Sequence, residues 1–194
     1  VQWIRETYQD DSRVEVIPFY YDESEYPSTS EADKDISKKW SNIFTQCFKP
    51  LGYEFFVTSE PYGGYIEEYT GFKHILYDMN RNHVPISGTE IRSNIYANWK
   101  HLPLATKRYF HIKVCLLGTE STGKTVLSEY LAKRYKANLV RETGRDIVQS
   151  SETFAYEDLD KIVGAQTELL QNIDIENHWL TILDTNLYTT ISYG

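Results

Sequence analysis

Residues 118–125 read Gly-Thr-Glu-Ser-Thr-Gly-Lys-Thr and satisfy the pattern G-x-x-x-x-G-K-[ST]. Such a loop turns its backbone N–H groups toward the phosphates of a nucleotide, at the positive end of the following helix. The ammonium of Lys124 then meets the β- and γ-phosphate oxygens, which makes Lys124 a predicted catalytic residue, and the hydroxyl of Thr125 is suited to ligating Mg²⁺. The pattern predicts a site for ATP and Mg²⁺. The predicted ligand-binding residues are Gly118, Glu120, Ser121, Thr122, Gly123, Lys124 and Thr125. The alternative is a Gly-rich turn between a strand and a helix that binds nothing.

An acidic residue, Asp184, directly follows the apolar run 180–183. In a parallel α/β sheet the carboxyl ends of the strands face the ligand crevice. We therefore predict that Asp184 lies beside the loop as a catalytic residue and holds Mg²⁺ directly or through water. Its alternative role is the N-cap of a following helix.

A second acidic residue, Glu142, follows the short apolar run at Leu139 and Val140. A carboxylate at that position is suited to accept a proton from an acceptor hydroxyl, so Glu142 is a predicted catalytic residue. Arg145, three residues later, is suited to pair with a phosphate. A surface ion pair or a helix cap explains Glu142 equally well.

A second phosphate cradle is predicted in the segment Ile-Ser-Gly-Thr-Glu-Ile-Arg at residues 86–92. Ser87 and Thr89 place hydroxyls and free backbone N–H groups at the start of a predicted helix, and Arg92 lies one turn later on the same side. This arrangement suits a triphosphate without a Gly-rich loop. A Ser/Thr cap with a later Arg also occurs in helices that bind no ligand.

Composition limits the classes of protein to which the chain can belong. It has 194 residues, a net charge of −8, 41% hydrophobic and 25% charged residues, which is typical of a globular protein. The excess of acid argues against a protein that coats nucleic acid or an anionic membrane. No apolar run approaches the ~20 residues of a membrane span. Two cysteines, Cys47 and Cys115, do not make a disulfide framework and favour a reducing, cytoplasmic location.

Hydrophobic spacing predicts the elements that position these residues. In the first part we predict helices over 1–8 and 36–48 and strands over 14–19, 53–58 and 74–77. Ser30 is the predicted N-cap of the second helix, and a loop is predicted from residue 59 to Gly71. After a connection over 99–110, strands over 113–117, 138–141 and 179–183 alternate with helices over 123–135 and 156–177. Such alternation predicts parallel sheets with crossover helices.

Both ends of the sequence lie within predicted elements. The chain begins at Val1 and ends at Gly194 directly after a predicted strand, and Met79 is the only methionine. We expect the chain to be a piece of a longer protein.

The order of these motifs resembles the NadR type of bifunctional protein. The resemblance rests on Ser87-x-Thr89-x-x-Arg92, Tyr96-x-x-Trp99, residues 118–125, Glu142-x-Gly144-Arg145 and Asp184-Thr185, with Ser59-Glu60-Pro61-Tyr62-Gly63 upstream. It implies two consecutive α/β parallel-sheet units. Residues 1–99 would be the C-terminal part of a Rossmann-like nucleotidyltransferase domain and 100–110 a linker. Residues 111–194 would be the N-terminal part of a P-loop kinase domain.

The resemblance also implies an activity in NAD salvage. The parent protein would phosphorylate nicotinamide riboside to the mononucleotide (NMN) with MgATP and then adenylylate NMN to NAD. Ser87, Thr89 and Arg92 would contact the ATP phosphates in the second step. We expect the 194-residue chain to be inactive alone, because the His-x-Gly-His element of such adenylyltransferases and the kinase lid are absent from it. Gly88 stands where Ser or Ala is common, and glycine there adds only backbone freedom.

Two other interpretations of the nucleotide site remain open. The loop also suits an ATPase or GTPase whose output is a switching motion, although the chain contains no guanine-specific N-K-x-D motif. A nucleotide-sensing module without catalysis is the other. For any of them we expect small-molecule partners, no nucleic acid and no membrane, and a homo-oligomer is left open.

Overall fold

A computed structural model describes residues 1–27, 33–119, 121–147 and 156–185. The helices are α1 (Gln2–Tyr8), α2 (Lys34–Phe48), α3 (Gly63–Thr70), α4 (Gly88–Ser93), α5 (Leu104–Phe110), α6 (Lys124–Tyr135), α7 (Gly144–Ile147) and α8 (Tyr156–Gln171). The strands are β1 (Phe55–Thr58), β2 (Lys73–Leu76), β3 (Ile112–Cys115), β4 (Asn138–Val140) and β5 (Leu180–Leu183), and short 3₁₀ turns cover Lys49–Leu51 and Trp99–His101.

The chain divides into two compact units, residues 17–88 and residues 1–16 with 89–194. Each has its own sheet, and every strand pair in the described residues is parallel. The predicted α/β class with parallel sheets is therefore confirmed. These unit boundaries fall at different places from the predicted linker over 100–110.

The unit of residues 17–88 is built on a β-α-β crossover. β1 and β2 pair in parallel with Phe55 opposite Lys73, and α3 connects them. A Cβ at Gly63 would overlap the imidazole of His74, so glycine lets the start of α3 approach β2 closely. Gly71, at φ +76°, ends α3 in the left-handed conformation.

The helix α2 confirms the prediction for residues 36–48. Its N-cap is Asp33, whose carboxylate accepts the Ile36 N–H at 2.9 Å. Ser30, the predicted cap, lies outside the described residues. The rings of Trp40 and Phe44 on α2 contact each other in a tilted arrangement, and the Phe44 ring lies 5.3 Å from that of Phe56 in β1.

Two local predictions are wrong. Residues 63–70, predicted as loop, form α3, because Ile66 and Thr70 bury one face of the segment despite its Gly-rich start. Residues 14–19, predicted as a strand, pair with no other strand among the described residues. Phe19 instead lies against the ring of Trp40 at 6.3 Å. Val14, Ile17 and Phe19 remain exposed, so the alternation of apolar residues here does not mark a paired strand.

The second unit has the strand order β3-β5-β4. Ile112 lies opposite Leu180, and Leu139 lies opposite Ile182. All four residues of β5 are buried, and Leu180 and Ile182 form a core with Ala132 of α6. β5, the last of the described strands in sequence, is thus the middle strand of the sheet, which places residue 184 between the carboxyl ends of the other two strands.

The segment before β3 packs on this same unit. The Trp99 indole N–H donates to the Ile175 carbonyl at 3.0 Å, and the Lys107 ammonium donates to the Glu176 carbonyl at 2.9 Å. Both side chains are buried. The helix predicted over 156–177 ends at Gln171, and the residues after it form the loop that accepts these two bonds.

Within residues 1–27, 33–119, 121–147 and 156–185, no helix combines the length and the apolar character needed to cross a bilayer.

Because β5 lies in the core, we expect alanine substitutions at two paired residues of β5 and β3 to cost very different amounts of stability. Ile182→Ala removes a side chain that is 2% exposed and should lower the free energy of unfolding by about 2–5 kcal/mol. Val114→Ala, opposite it on β3 and 38% exposed, should cost about 0.5 kcal/mol. Urea denaturation of both variants measures the difference, and equal losses would contradict a core centred on β5.

Candidate nucleotide-binding site

The loop between β3 and α6 has the backbone of a tight turn. Gly123 lies at φ +85° and Ser121 at φ +59°, both in the left-handed region. The Thr122 hydroxyl donates to the Thr119 carbonyl at 2.8 Å, which closes the turn on itself. A Cβ at Gly118 would stand 3.0 Å from the Thr122 hydroxyl, so this position also favours glycine. Glu120 lies outside the described residues.

The ammonium of Lys124 lies over this loop. It donates to the carbonyl oxygens of Gly118 and Thr119, each at 2.8 Å. Lysine has three N–H donors, so these carbonyls leave capacity for a further acceptor. A phosphate oxygen is a stronger partner than a neutral carbonyl because both members of the pair carry charge.

The carboxylate of Asp184 lies directly beside the first turn of α6. Its Oδ2 accepts the Thr125 hydroxyl at 2.7 Å, and its backbone N–H donates to the Val140 carbonyl at 3.0 Å. Residue 184 is 2% exposed, and its Oδ1 is buried and has no hydrogen-bond partner among the residues that the structure describes. A buried carboxylate oxygen without a donor is costly, and a cation is one way to satisfy it.

This pair of oxygen ligands fits Mg²⁺. Hydroxyl and carboxylate oxygens are the ligands that Mg²⁺ takes from proteins, usually one or two of them together with substrate phosphates and water. The described residues contain no group of three or more His, Cys, Asp and Glu side chains that would hold a metal by itself. Thr125 and Asp184 therefore suit a metal that arrives with a nucleotide.

The negative charge of Asp184 acts on Cys115, the last residue of β3. Burial raises the pKa of the Cys115 thiol above its ordinary value, and the negative charge of Asp184 raises it further. The Cys115 thiol therefore stays protonated at neutral pH.

Glu142 follows β4 at the same carboxyl edge of the sheet. The turn at residues 142–144 rests on α8, where the Gln166 carboxamide oxygen accepts the Thr143 N–H at 3.3 Å and its hydroxyl at 3.0 Å. Arg141 points to Glu129 of α6 at 2.8 Å in an exposed ion pair. The side chain of Arg145 lies outside the described residues, although its backbone is in α7.

The other predicted cradle lies elsewhere in the chain, around α4. Thr89 is the second residue of α4, Ser87 directly precedes the helix, and Arg92 donates to the Thr89 hydroxyl at 3.3 Å. Upstream, the Asp78 carboxylate accepts three consecutive backbone N–H groups, from residues 82, 83 and 84. These bonds hold the pKa of Asp78 below its ordinary value.

Two residues that hold turns in place by hydrogen bonds, Gln166 and Asp78, were not predicted from the sequence. A glutamine on an amphipathic helix resembles a solvated residue, and only its spacing of four from the apolar Ile162 indicates that both lie on the inner face. Asp78 precedes a run of polar residues typical of a loop, where a short acidic side chain can accept nearby backbone N–H groups, and this is a usable signal.

Comparison with known proteins shows similarity along the whole chain. The family described as AAA domain matches residues 113–194, the part that contains the loop. The trifunctional NAD biosynthesis/regulator protein NadR of Escherichia coli K12 is 25% identical over 202 residues, covering 100% of this chain. The protein of the same name from Salmonella typhimurium is 30% identical over 131 residues, covering 65% of this chain. The predicted resemblance to NadR proteins is confirmed.

Solved structures of NadR show the same fold. NadR in complex with NR aligns over 99% of this chain with a TM-score of 0.56 and 20% identity. NadR in complex with NAD and AMP-PNP aligns over 100% of it with a TM-score of 0.55 and 19% identity. The chain spans about half of each of these structures, at 56% and 57%. It spans 48% of the Escherichia coli NadR and 32% of the Salmonella NadR.

The left-handed backbone at Gly123 predicts opposite effects for two Gly→Ala changes. Gly123→Ala should lower the free energy of unfolding by ~1–2 kcal/mol, since a Cβ is disfavoured at φ +85°. Gly164→Ala, in the interior of α8 with open space around it, should raise that free energy by about 1 kcal/mol through helix propensity. Chemical denaturation of both variants checks the signs.

The electrostatic effect of Asp184 on Cys115 predicts a change in thiol reactivity. Asp184→Asn removes the negative charge that raises the pKa of the Cys115 thiol, so alkylation by iodoacetamide at pH 8 should become faster at that residue. The exposed Cys47 serves as the internal control and should react at an unchanged rate. Mass spectrometry of the two peptides gives both rates, and an unchanged Cys115 rate would place the carboxylate elsewhere.

Proposed function

We propose that this chain is part of an enzyme that transfers the γ-phosphoryl group of ATP to nicotinamide riboside and then adenylylates the NMN product to NAD. Similarity to NadR along the chain and the NR, NAD and AMP-PNP of the NadR complexes support this proposal. In this proposal residues 111–194 belong to the kinase part. Residues 1–99 belong to a Rossmann-like nucleotidyltransferase part, with residues 100–110 as the link.

The observation that carries the proposal is the bond between the Thr125 hydroxyl and Asp184. It joins the phosphate loop to the end of the central strand at 2.7 Å, and the other carboxylate oxygen is buried with no donor in the described part of the chain. A strand–helix turn that binds no ligand does not require a buried carboxylate at that point. A site that binds a nucleotide together with its cation requires one as a ligand for the cation.

The kinase step is an in-line displacement at phosphorus. The riboside hydroxyl oxygen forms a bond to the γ-phosphorus while the bond from phosphorus to the β–γ bridging oxygen breaks, and ADP leaves. Lys124 and the loop N–H groups stabilise the charge that spreads over the phosphoryl oxygens. Glu142, at the same edge of the sheet, accepts the hydroxyl proton. When bound, Mg²⁺ would be held by Thr125 and Asp184 and would neutralise charge on the phosphates.

The adenylyl step is assigned to the other motif. The NMN phosphate displaces pyrophosphate at the α-phosphorus of ATP, with Ser87, Thr89 and Arg92 holding the triphosphate. Arg92 is exposed and already lies 3.3 Å from the Thr89 hydroxyl, so both side chains face the same side of α4.

Lys124→Ala tests whether the loop performs phosphoryl transfer. In the intact protein the change should lower riboside phosphorylation by about 10²–10³-fold, because a preorganised charge on the transferred group is lost. Adenylylation of NMN should stay within about twofold of wild type, since it uses other residues. The matched control is Lys133→Ala, an exposed lysine on the same helix. Labelled-phosphate transfer and NAD formation are measured separately.

Other outcomes of that experiment separate the alternatives. Loss of both activities in Lys124→Ala would contradict independent sites. ATP hydrolysis without riboside binding by calorimetry would indicate a switch ATPase, and nucleotide binding without turnover would indicate a sensing module. We expect the 194-residue chain alone not to phosphorylate the riboside, and turnover by it would overturn that expectation.

A further inference from the structure

The polar side chain of Gln166 is buried, although α8 could be packed with an apolar residue at this position. It is 2% exposed, and its carboxamide oxygen accepts both the N–H and the hydroxyl of Thr143. Its amide nitrogen is buried and has no hydrogen-bond partner within residues 1–27, 33–119, 121–147 and 156–185. A buried unpaired donor is unfavourable, and leucine at this position would avoid it. The oxygen must therefore do something that leucine cannot.

What the oxygen holds is the turn after β4. Thr143 directly follows Glu142, and its N–H and hydroxyl are the groups that Gln166 fixes. The Thr143 hydroxyl also lies 3.3 Å from the Ile162 carbonyl, one turn earlier on α8. A Cβ added to Gly144 would stand 3.9 Å from both Ile162 and the Glu142 carboxylate. The turn therefore packs against α8, and Gln166 holds its middle residue, Thr143, by hydrogen bonds.

This turn occupies a defined place at the sheet edge. Val140 of β4 lies opposite Leu183 of β5, so the residues after these two strands run side by side. The Asp184 N–H donates to the Val140 carbonyl and continues the ladder past the strand ends. Fixing Thr143 therefore fixes the position of the Glu142 backbone relative to Asp184 and, through Thr125, relative to the phosphate loop.

We propose that Gln166 is a positioning residue for Glu142: it holds the turn at residues 142–144 so that the carboxylate meets the acceptor hydroxyl in phosphoryl transfer. This inference rests on the proposed kinase function. A base must stand within hydrogen-bond reach of the proton that it takes, and an error of 1 Å in position costs about 10²-fold in rate. ATP, held by residues 118–125, does not depend on the turn.

Gln166→Leu in the intact protein tests the proposal. It removes the acceptor for Thr143 and the unpaired donor together while keeping similar volume. We expect kcat for riboside phosphorylation to fall about 10- to 100-fold, with KM for ATP within about twofold of wild type. The matched control is Gln171→Leu, at the exposed end of the same helix, which should leave both constants unchanged.

A second pair of variants reaches the same hydrogen bond from the other side and serves if Gln166→Leu does not fold. Thr143→Val removes the hydroxyl at nearly constant volume and should lower kcat about 10-fold. Thr143→Ser keeps the hydroxyl and should restore kcat to within about threefold of wild type. A purely structural role would move the melting temperature and the ATP affinity together and would not produce this split.

The outcomes distinguish this inference from the proposed function. An active wild type together with folded Gln166→Leu and Thr143→Val variants of unchanged kcat would overturn the positioning role alone. A wild type that binds ATP but phosphorylates no riboside would overturn the proposed function and the positioning role with it. A fall in kcat that Thr143→Ser reverses supports both.

Discussion

The candidate site depends on one contact, the hydrogen bond from the Thr125 hydroxyl to the Asp184 carboxylate. These residues are 59 positions apart in sequence, and the bond joins the first turn of α6 to the end of β5. Because β5 is the middle strand of its sheet and is buried along its length, Asp184 cannot withdraw from the loop without disturbing the core. The position of the carboxylate is thus set by packing. Because it is fixed there, its Oδ1 is buried with no hydrogen-bond donor among the described residues.

The backbone of the loop is strained at Ser121, and the packing around the loop maintains that conformation. A serine in the left-handed region costs about 1–3 kcal/mol and persists only where the surroundings determine it. Here the Thr122 hydroxyl and the Lys124 ammonium bond to loop carbonyls, and α6 is fixed to β5 at Ala132. These bonds fix the loop in one conformation with the Lys124 ammonium over it, and phosphate binding needs such preorganisation.

The segment before β3 adds a further constraint on β5. Trp99 and Lys107 donate to consecutive carbonyls of the loop that leads into β5, and Asn138 donates to the Asp174 carbonyl in that loop. Buried donors on charged or aromatic side chains are costly to leave unpaired, so these bonds hold the loop firmly. Residues that the sequence suggested to be a connection thus help to hold the strand that carries the candidate metal ligand.

Much of this architecture follows from local sequence. The apolar run at 180–183, the pattern at 118–125 and the spacing of Trp40 and Phe44 predict a strand, a phosphate loop and a helix, because backbone and burial requirements act within a few residues. Where Gly-rich or alternating segments depend on distant partners, local signals are insufficient. Residues 63–70 are helical because Ile66 is buried, and residues 14–19 lack a partner strand among the described residues.

The sequence by itself therefore determined the phosphate loop, the parallel α/β class and the candidate acids, since glycine spacing and hydrophobic period are local properties. Only the tertiary structure decided that β5 lies in the middle of its sheet, that Thr125 donates to Asp184, and that Gln166 is buried against Thr143. Each of these joins residues far apart in the chain, and strand order and side-chain burial are set by how the elements pack, which no local pattern encodes.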